Sequence, residues 1–364
     1  MMLYLAYISI GFVVFQLTNT VLNFIFSQTI KKDAIPPNEL ISVLIPARNE
    51  EHNIRNILAD LQKMKNDKLE IIVFDDQSTD NTAQIVKQFA NSDNRVKLVQ
   101  SEKIPQGWLG KNNGCYQLAQ QAKGSYFLFV DADVRLQGNI IENAVSYLKK
   151  YKLGLLSVFP TQIQKTLGEK VTVPIMNYIL LTLLPLIFVR ISPFSSHSAA
   201  NGQFMLFNAH TYKKLQPHKT YKSSAVEDIA ISKYFKQQKV KIACLIGEKR
   251  IQCRMYKSYN EARNGFAKNV FMFFGNHPTL AFLFWTFATL GFVPVLIALP
   301  NIILPYIIAI VIIQQLYSYT SKQNILYSII LFPVQLIFLF QVMLKSIFVK
   351  RSKNYIWKGR NIYS

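Results

Sequence analysis

Two carboxylates one residue apart, Asp131 and Asp133, end the apolar run of residues 127–130. Acidic oxygens at that spacing suit a hard divalent cation that also grips a diphosphate. Residues 125–130 are apolar and aromatic without polar alternation, the pattern of a strand buried on both faces of a parallel sheet flanked by helices. Ligands of such sheets sit outside the carboxyl ends of the strands, so both acids are expected where a substrate binds. A plain turn after a strand is the competing reading, because Asp favours turns.

The elements around this run set the fold class. Residues 40–45 read as a first buried strand, and Ile54, Ile57, Leu58, Leu61 and Met64 then recur at helical spacing. Residues 69–74 form a second strand that runs into Asp75, Asp76, Gln77, Ser78, Thr79 and Asp80, a mixture of turn formers and helix caps. A helix to about Asn91 and a strand over 96–99 follow. This alternation predicts an α/β fold with a mixed, mostly parallel, Rossmann-like sheet and flanking helices. Further on, 202–207 is strand-like, 226–235 helix-like and 240–246 strand-like. No Gly-x-Gly-x-x-Gly follows the first strand and no Walker loop occurs, which disfavours dehydrogenases and P-loop enzymes. A nucleotide site must therefore be built from acids and loops.

Composition adds a membrane. Residues 1–30 contain no Lys, Arg, Asp or Glu and are long enough to cross about 30 Å of hydrocarbon. They lack the basic start and small-residue cleavage site of a secretory signal, so a retained N-terminal anchor is expected. Lys31 and Lys32 follow at once and place the next segment in the cytoplasm. Residues 171–189 form a second uncharged stretch, interrupted by Pro174 and Pro185 and closed by Arg190. A full crossing there would separate Asp131 and Asp133 from Glu227 and Asp228. An interfacial or re-entrant segment over 171–190 is therefore expected, with an ordinary buried helix as the alternative. Apolar segments over 279–299, 302–316 and 325–348 predict C-terminal transmembrane helices. Three crossings would leave a tail carrying Lys345, Lys350, Arg351, Lys353, Lys358 and Arg360 outside, against the positive-inside tendency. The last segment, interrupted by Pro333, or the short middle one is expected to cross incompletely.

The 41 basic residues against 20 acidic give a net charge of +21. Nucleic acid is the generic partner of such a charge, but in a chain with membrane spans the anionic inner leaflet is the expected one, and no nucleic-acid partner is. Cys115, Cys244 and Cys253 have no paired spacing, and His52, His197, His210, His218 and His277 form no ligand pattern, so neither a disulfide frame nor a zinc site is indicated.

Residues 41–51 (Ile-Ser-Val-Leu-Ile-Pro-Ala-Arg-Asn-Glu-Glu), the 75–80 loop, Asp131-Ala132-Asp133 and Glu227-Asp228 resemble, in that order, the motifs of family 2 glycosyltransferases with the GT-A fold. Gly107-Trp108-Leu109-Gly110-Lys111 and Trp357-Lys358-Gly359-Arg360 resemble its membrane branch, which glycosylates carotenoids, hopanoids and related lipids. Four motifs in order are far more specific than any one of them. The resemblance implies a cytoplasmic GT-A domain over 31–278, transmembrane helices over 279–348 and a basic tail over 349–364, in a multi-pass protein of the cell membrane. Pro46 and Glu50 would line the pocket of a uracil-type base, and Asp76 would bond that base with Asp75 beside it. Lys111 would approach the diphosphate. Asp131 would contact the ribose or the metal, and Asp133 would hold Mg2+ or Mn2+ against both phosphates. Glu227 and Asp228 begin an amphipathic stretch, where a carboxylate suits the general base for an attacking hydroxyl. Acids are also favoured at a helix N-terminus without catalysis. Asp228 is the first choice for the base and Glu227 the second.

The implied activity is inverting, metal-dependent transfer of one sugar, with glucose from UDP-glucose as the guess, to a membrane lipid. Retention of both acids leans towards a hydroxyl acceptor, because a carboxylate acceptor forming a glycosyl ester is already ionised and needs no base. Polymer-forming members carry Gln-x-x-Arg-Trp, whereas this chain has Gln252-Cys253-Arg254-Met255-Tyr256, one residue shorter and without Trp. Arg254 would still steady a diphosphate, but a polysaccharide synthase is disfavoured. A nucleotidyltransferase would show a Gly-rich loop after the first strand, which Pro46-Ala47-Arg48-Asn49 does not supply. A non-catalytic nucleotide-sugar-binding membrane protein is the remaining alternative.

Overall fold

The apolar runs assemble into one eight-stranded sheet. The computed structural model describes residues 1–32, 38–352, 356–357 and 360–361. Its sheet strands are β1 (Ile41–Ala47), β2 (Leu69–Asp75), β3 (Val96–Gln100), β4 (Tyr126–Val130), β5 (Val134–Leu136), β6 (Leu155–Gln162), β7 (Phe204–Asn208) and β8 (Ile242–Cys253). They lie in the order β3-β2-β1-β4-β7-β6-β8-β5. β1 to β4 pair in parallel, while β4 with β7, β7 with β6 and β5 with β8 are antiparallel. Every residue of β2 and β4 is buried, as their unbroken apolar character requires. The helix Glu51–Lys63 lays Ile54, Ile57, Leu58 and Leu61 on the sheet, all buried. Each such side chain contributes about 1.5–3 kcal/mol by leaving water.

Register decides where the acids go. Leu44 of β1 pairs with Ile72 of β2 on one side and Phe129 of β4 on the other, so these three strands end nearly level on one rim. Beyond β4 the expected pattern is extended in two places. The apolar run at 240–246 continues as a twelve-residue strand to Cys253, and three-residue β5 pairs with its far end, Val134 against Cys253. Such a short strand carries no periodicity of its own. It exists because a partner more than a hundred residues away supplies its hydrogen bonds.

The chain divides into two compact units, one of residues 28–161 and 186–253 that holds the sheet, and one of residues 1–27, 162–185 and 254–364. In the second, Met2–Ile25, Pro300–Thr320 and Phe332–Val349 are each long and apolar enough to cross a membrane. Pro278–Leu290 and Phe292–Ala298 reach that length together across a 49° bend. Gly291 sits at the bend, where a Cβ would come within 2.8 Å of Tyr306 Oη. Met2–Ile25 runs in the same direction as Ile303–Thr320: Phe12, Val13 and Gln16 share a cavity wall with Tyr306, Ile310 and Ile313, and Phe24 meets Tyr319.

Residues 171–190 break into short pieces. The helix Pro174–Leu183 is about 15 Å long by its rise per residue, half the thickness of a bilayer core. All but its last residue is buried. Tyr178 Oη accepts from Gln16 Nε2 at 2.9 Å, and Asn19 and Asn23 donate to the carbonyls of Thr182 and Leu181 at 2.8 and 2.9 Å. These polar contacts satisfy groups that lipid would leave bare. The segment over 325–348 is also interrupted. Ile325–Ile330 is a six-residue helix, and the next helix starts at Phe332, whose ring packs on Tyr178. Since Tyr178 bonds Gln16, that start lies midway along the first helix. Lys358 and Gly359 of the tail motif, and Pro36 and Pro37 of the 33–38 linker, lie outside the described residues.

Candidate active site

The sheet rim gathers acids because strands end there. Asp131 follows the last residue of β4, and its backbone N–H donates to Gln203 O at 3.3 Å. β5 turns back directly afterwards, which leaves Asp133 at the corner between the two strands. Asp133 Oδ1 is buried without a hydrogen-bond partner among the described residues. Burial, then the carboxylates of Asp131 and Glu50, push the Asp133 pKa up to about 7, against a hydrogen bond from Cys253 and the charge of Lys111. Burial and two neighbouring carboxylates disfavour its charged form, which a nearby cation would favour.

Lys111 stands in the first turn of the helix Gly110–Gln121. Its Nζ is 2.9 Å from Asp131 Oδ1 and 3.4 Å from Glu227 Oε1. Glu227 and Asp228 open the helix Glu227–Gln237. Asp228 Oδ2 accepts from Gly202 N at 2.9 Å and Oδ1 from Ile229 N at 2.8 Å. Burial, then Glu227, raise the Asp228 pKa to about 6 despite those bonds and Lys111. Its charge therefore switches near neutrality, which is where a general base works best.

On the β1 and β2 side of the rim, Asp76 N donates to Ala47 O at 2.8 Å. Arg48 donates to the Asp76 carbonyl at 2.6 Å. Asp75 is buried and accepts from Ser78 N at 3.3 Å. Glu50 caps the helix Glu51–Lys63 and accepts from Asn53 Nδ2 at 2.8 Å. Pro46 pairs in register with Phe74, just below Asp75. The one expected site residue outside this unit is Arg254. There it donates Nε and Nη2 to Glu169 Oε1 at 3.1 and 2.6 Å.

Two carboxylates one residue apart, one with a buried unpartnered oxygen, fit a hard divalent cation that takes its other ligands from phosphate and water. Among the described residues no group of three or more His, Cys, Asp or Glu could hold a metal ion by itself, so a cation here would need ligands from outside the protein. Residues 42–213 match the profile of glycosyl transferase family 2. The match covers just under half of the chain. Among curated proteins, the chain is similar to 4,4'-diaponeurosporenoate glycosyltransferases of Staphylococcus haemolyticus, 29% identical over 63% of this chain and 60% of the relative, and of Staphylococcus aureus, 27% identical over 64% and 61%. The match thus spans about three-fifths of the length of these relatives. Among solved structures, the mannosyltransferase PcManGT from Pyrobaculum calidifontis aligns over 95% of this chain and 99% of its own, with a TM-score of 0.60 and 16% identity. The likeness is one of fold, GT-A with apolar helices at both ends.

Sequence reasoning passed over four residues that organise this rim. Asn112, 1% exposed, donates Nδ2 to the carbonyls of Tyr221 and Ser224 at 2.9 Å and of Lys222 at 3.2 Å. It ties the turn bearing Lys111 to the loop that leads into Glu227. Gly202 leaves room where a Cβ would come 3.2 Å from Lys111 Nζ and 3.6 Å from Asp228 Oδ2. Gln203 and Cys253 meet behind Asp133, with Gln203 Nε2 2.9 Å from Cys253 Sγ. The Asn112-Asn113-Gly114 run and the Asn201-Gly202-Gln203 run were visible as turn-like polar clusters between apolar segments. Nothing in their spacing pointed to the acids they serve.

Proposed function

We propose that the protein moves one sugar from a nucleotide donor to a membrane lipid, with inversion at the anomeric carbon. The observation that carries this reading is that Asp131 and Glu227 both pair with Lys111 while Asp228 accepts from Gly202 N, a residue that Lys111 and Glu227 also crowd, close to Asp133. Pro46, Glu50 and Asp76 take the base of the donor, a UDP-sugar with glucose as the first to test. Asp131 and Asp133 hold Mg2+ or Mn2+; when bound, the cation neutralises charge that builds on the departing diphosphate. PcManGT was solved with GDP-Man and Mn2+, which supports that donor class and metal. Lys111 leaves its pairing with Asp131 to meet the diphosphate, placing positive charge where the leaving group gains negative charge. Asp228 takes the acceptor proton as the hydroxyl attacks. Glu227 keeps Lys111 in place and keeps the Asp228 pKa high. Arg254 lies against Glu169 and steadies the donor only if it exchanges that partner.

A second acceptor chemistry has a specific observation behind it. The curated relatives are named for a carotenoid acid, diaponeurosporenoate, and a carboxylate acceptor would yield a glycosyl ester. The two are told apart by incubating membranes with labelled UDP-glucose and Mn2+, extracting lipids and treating them with mild alkali. A lipid label that survives alkali is the glycoside we expect, a label released by alkali is the ester, and no lipid label from any nucleotide sugar would refute the transferase reading.

The raised Asp228 pKa makes a pH prediction. A base must be unprotonated to act, and a pKa moved from the usual 3.8 to about 6 keeps the proton on to higher pH. Glu227 and Lys111 are the charged groups facing it, pushing in opposite directions. With a hydroxyl acceptor, kcat is expected to fall about tenfold per pH unit below about 6 and to level off above it. A flat profile from pH 5 to 8 at saturating substrates would contradict the assignment.

We place the sheet unit in the cytoplasm, since Lys31 and Lys32 follow the first span. The last apolar segment begins midway along the bundle at Phe332, which supports its returning to the cytoplasmic side with the basic tail. There the net charge of +21 attracts the anionic leaflet.

A further inference from the structure

A buried lysine pins one loop of the sheet unit from inside. Lys236, 7% exposed, donates its ammonium to the carbonyls of Ser192, Phe188 and Phe194 at 2.9, 3.1 and 3.4 Å. An ammonium has three hydrogens, so all of them are used. Ser192 Oγ accepts from Phe194 N at 3.2 Å and lies 2.7 Å from His197 Nδ1. The carbonyls of 188–194 are thus held inward, while Ile191 and Phe194 stand 61% and 66% exposed. Apolar side chains fixed in water gain from an apolar cover. Chain length and charge identify that cover. Gln28 lies three residues past Ile25, the end of the first membrane-length helix, hence within about 11 Å of it. Its Nε2 donates to Leu186 O at 3.4 Å, and its Oε1 accepts from Tyr147 Oη at 2.9 Å. Leu186 precedes the helix Ile187–Ile191, so the loop begins close to where the chain leaves the bilayer. The same corner is basic. Arg190 and Lys150 lie over the Tyr151 ring at 4.0 and 5.2 Å. Asn143 Nδ2 donates to Lys32 O at 3.0 Å, which brings Lys31 and Lys32 to the helix Ile140–Lys150. Each basic residue close to an anionic leaflet strengthens attachment about fivefold.

We propose that the loop 188–194, stapled by Lys236, seats the sheet unit on the anionic leaflet, with Ile191 and Phe194 in the acyl boundary and Arg190, Lys150 and Lys32 on headgroup phosphates. This deepens, and rests on, the cytoplasmic placement and the lipid acceptor given above. Asp228 lies eight residues before Lys236 in the helix Glu227–Gln237, about 12 Å along its axis. The staple therefore also sets how far the general base stands from the lipid. Residues 195–202 run from the loop to Gly202, whose N–H bonds Asp228.

The test is electron paramagnetic resonance of a nitroxide on Ile191→Cys or Phe194→Cys, in the full chain reconstituted in vesicles. Lys87→Cys, at an exposed position of the helix Thr82–Ser92, is the reference. Cys115, Cys244 and Cys253 are buried, so labelling is confined to the new thiol. In phosphatidylcholine vesicles containing phosphatidylglycerol, relaxation by oxygen against an aqueous nickel chelate is expected to place both loop labels about 5–10 Å into the headgroup and acyl boundary. The Lys87→Cys label is expected in water. In phosphatidylcholine alone both loop labels are expected to lift towards water. Water-exposed loop labels in the anionic vesicles, or equal depth in the neutral ones, would overturn the docking surface. Adding Lys236→Met leaves the three carbonyls without their donor. It is expected to lift the Phe194→Cys label while the mobility of the Lys87→Cys label stays the same, and an unchanged depth would overturn the staple. None of these readings requires sugar transfer, so their failure leaves the transferase reading standing, whereas the absence of labelled lipid in the incubation above counts against that reading alone.

Discussion

Replacing Asp133 with Ala is expected to lower transfer by at least about a thousandfold, roughly 4 kcal/mol of transition-state stabilisation, and to abolish any effect of Mn2+ on nucleotide affinity. A nucleoside diphosphate leaves as a polyanion, and the rim that receives it gathers Asp131, Asp133, Glu227 and Asp228 around Lys111. Lys111 is itself shared between Asp131 and Glu227 at 2.9 and 3.4 Å. A site so acidic repels its own donor unless a divalent cation intervenes, and Asp133 has the buried open oxygen to hold one. The same substitution is not expected to unfold the protein. The Asp133 pKa is raised from 3.8 to about 7; for an acid, that means the ionised form is disfavoured in the fold, a cost that appears as pH rises towards 7 and is complete above it. Removing the carboxylate relieves that cost, so the melting temperature at pH 8 is expected to hold or rise while activity is lost. Parallel loss of both would mean a structural role, and normal activity would remove Asp133 from the metal site.

Asp228→Asn is expected to separate binding from chemistry. Its oxygens accept from Gly202 N and Ile229 N, and an amide keeps one of these bonds. Nucleotide affinity is therefore expected to stay within about threefold, while kcat on a hydroxyl acceptor falls about 10²–10⁴-fold for want of a base. The pH dependence near 6 should vanish with it. The same variant reports on the acceptor. A carboxylate acceptor arrives ionised, so its transfer should slow less than about tenfold, and the pH limb would then belong to the substrate. Equal losses of nucleotide affinity and rate would show that Asp228 holds the donor instead.

Much of this rim was legible in sequence because its chemistry sits at strand ends. The unbroken apolar run before Asp131 marks a doubly buried strand, and a parallel strand must release its next residues at the carboxyl rim. The same logic placed Asp75 and Asp76 after β2. Motif order then pointed to the family whose profile matches residues 42–213. Less legible were residues whose role depends on distant partners. Cys253 carries no spacing signal, and it comes opposite Val134, next to Asp133, only because β8 runs on past the apolar residues 240–246 to pair with β5. Asn112 is one of two adjacent asparagines, and only the fold shows that it bonds three carbonyls ahead of Glu227. Arg254 was given a diphosphate role by the likeness of residues 252–256 to the polymer-forming motif, and the sequence held no sign that its guanidinium pairs with Glu169.

The central claim is that one rim of the sheet holds the nucleotide and its cation together. The most direct measurement is a structure of the full chain with UDP and Mn2+. Mn2+ is expected on Asp133 with the diphosphate beside Lys111, and the uracil ring between Pro46 and Asp76. Nucleotide bound elsewhere, or bound at this rim with the metal site empty and Asp133 Oδ1 still without a partner at saturating Mn2+, would contradict it.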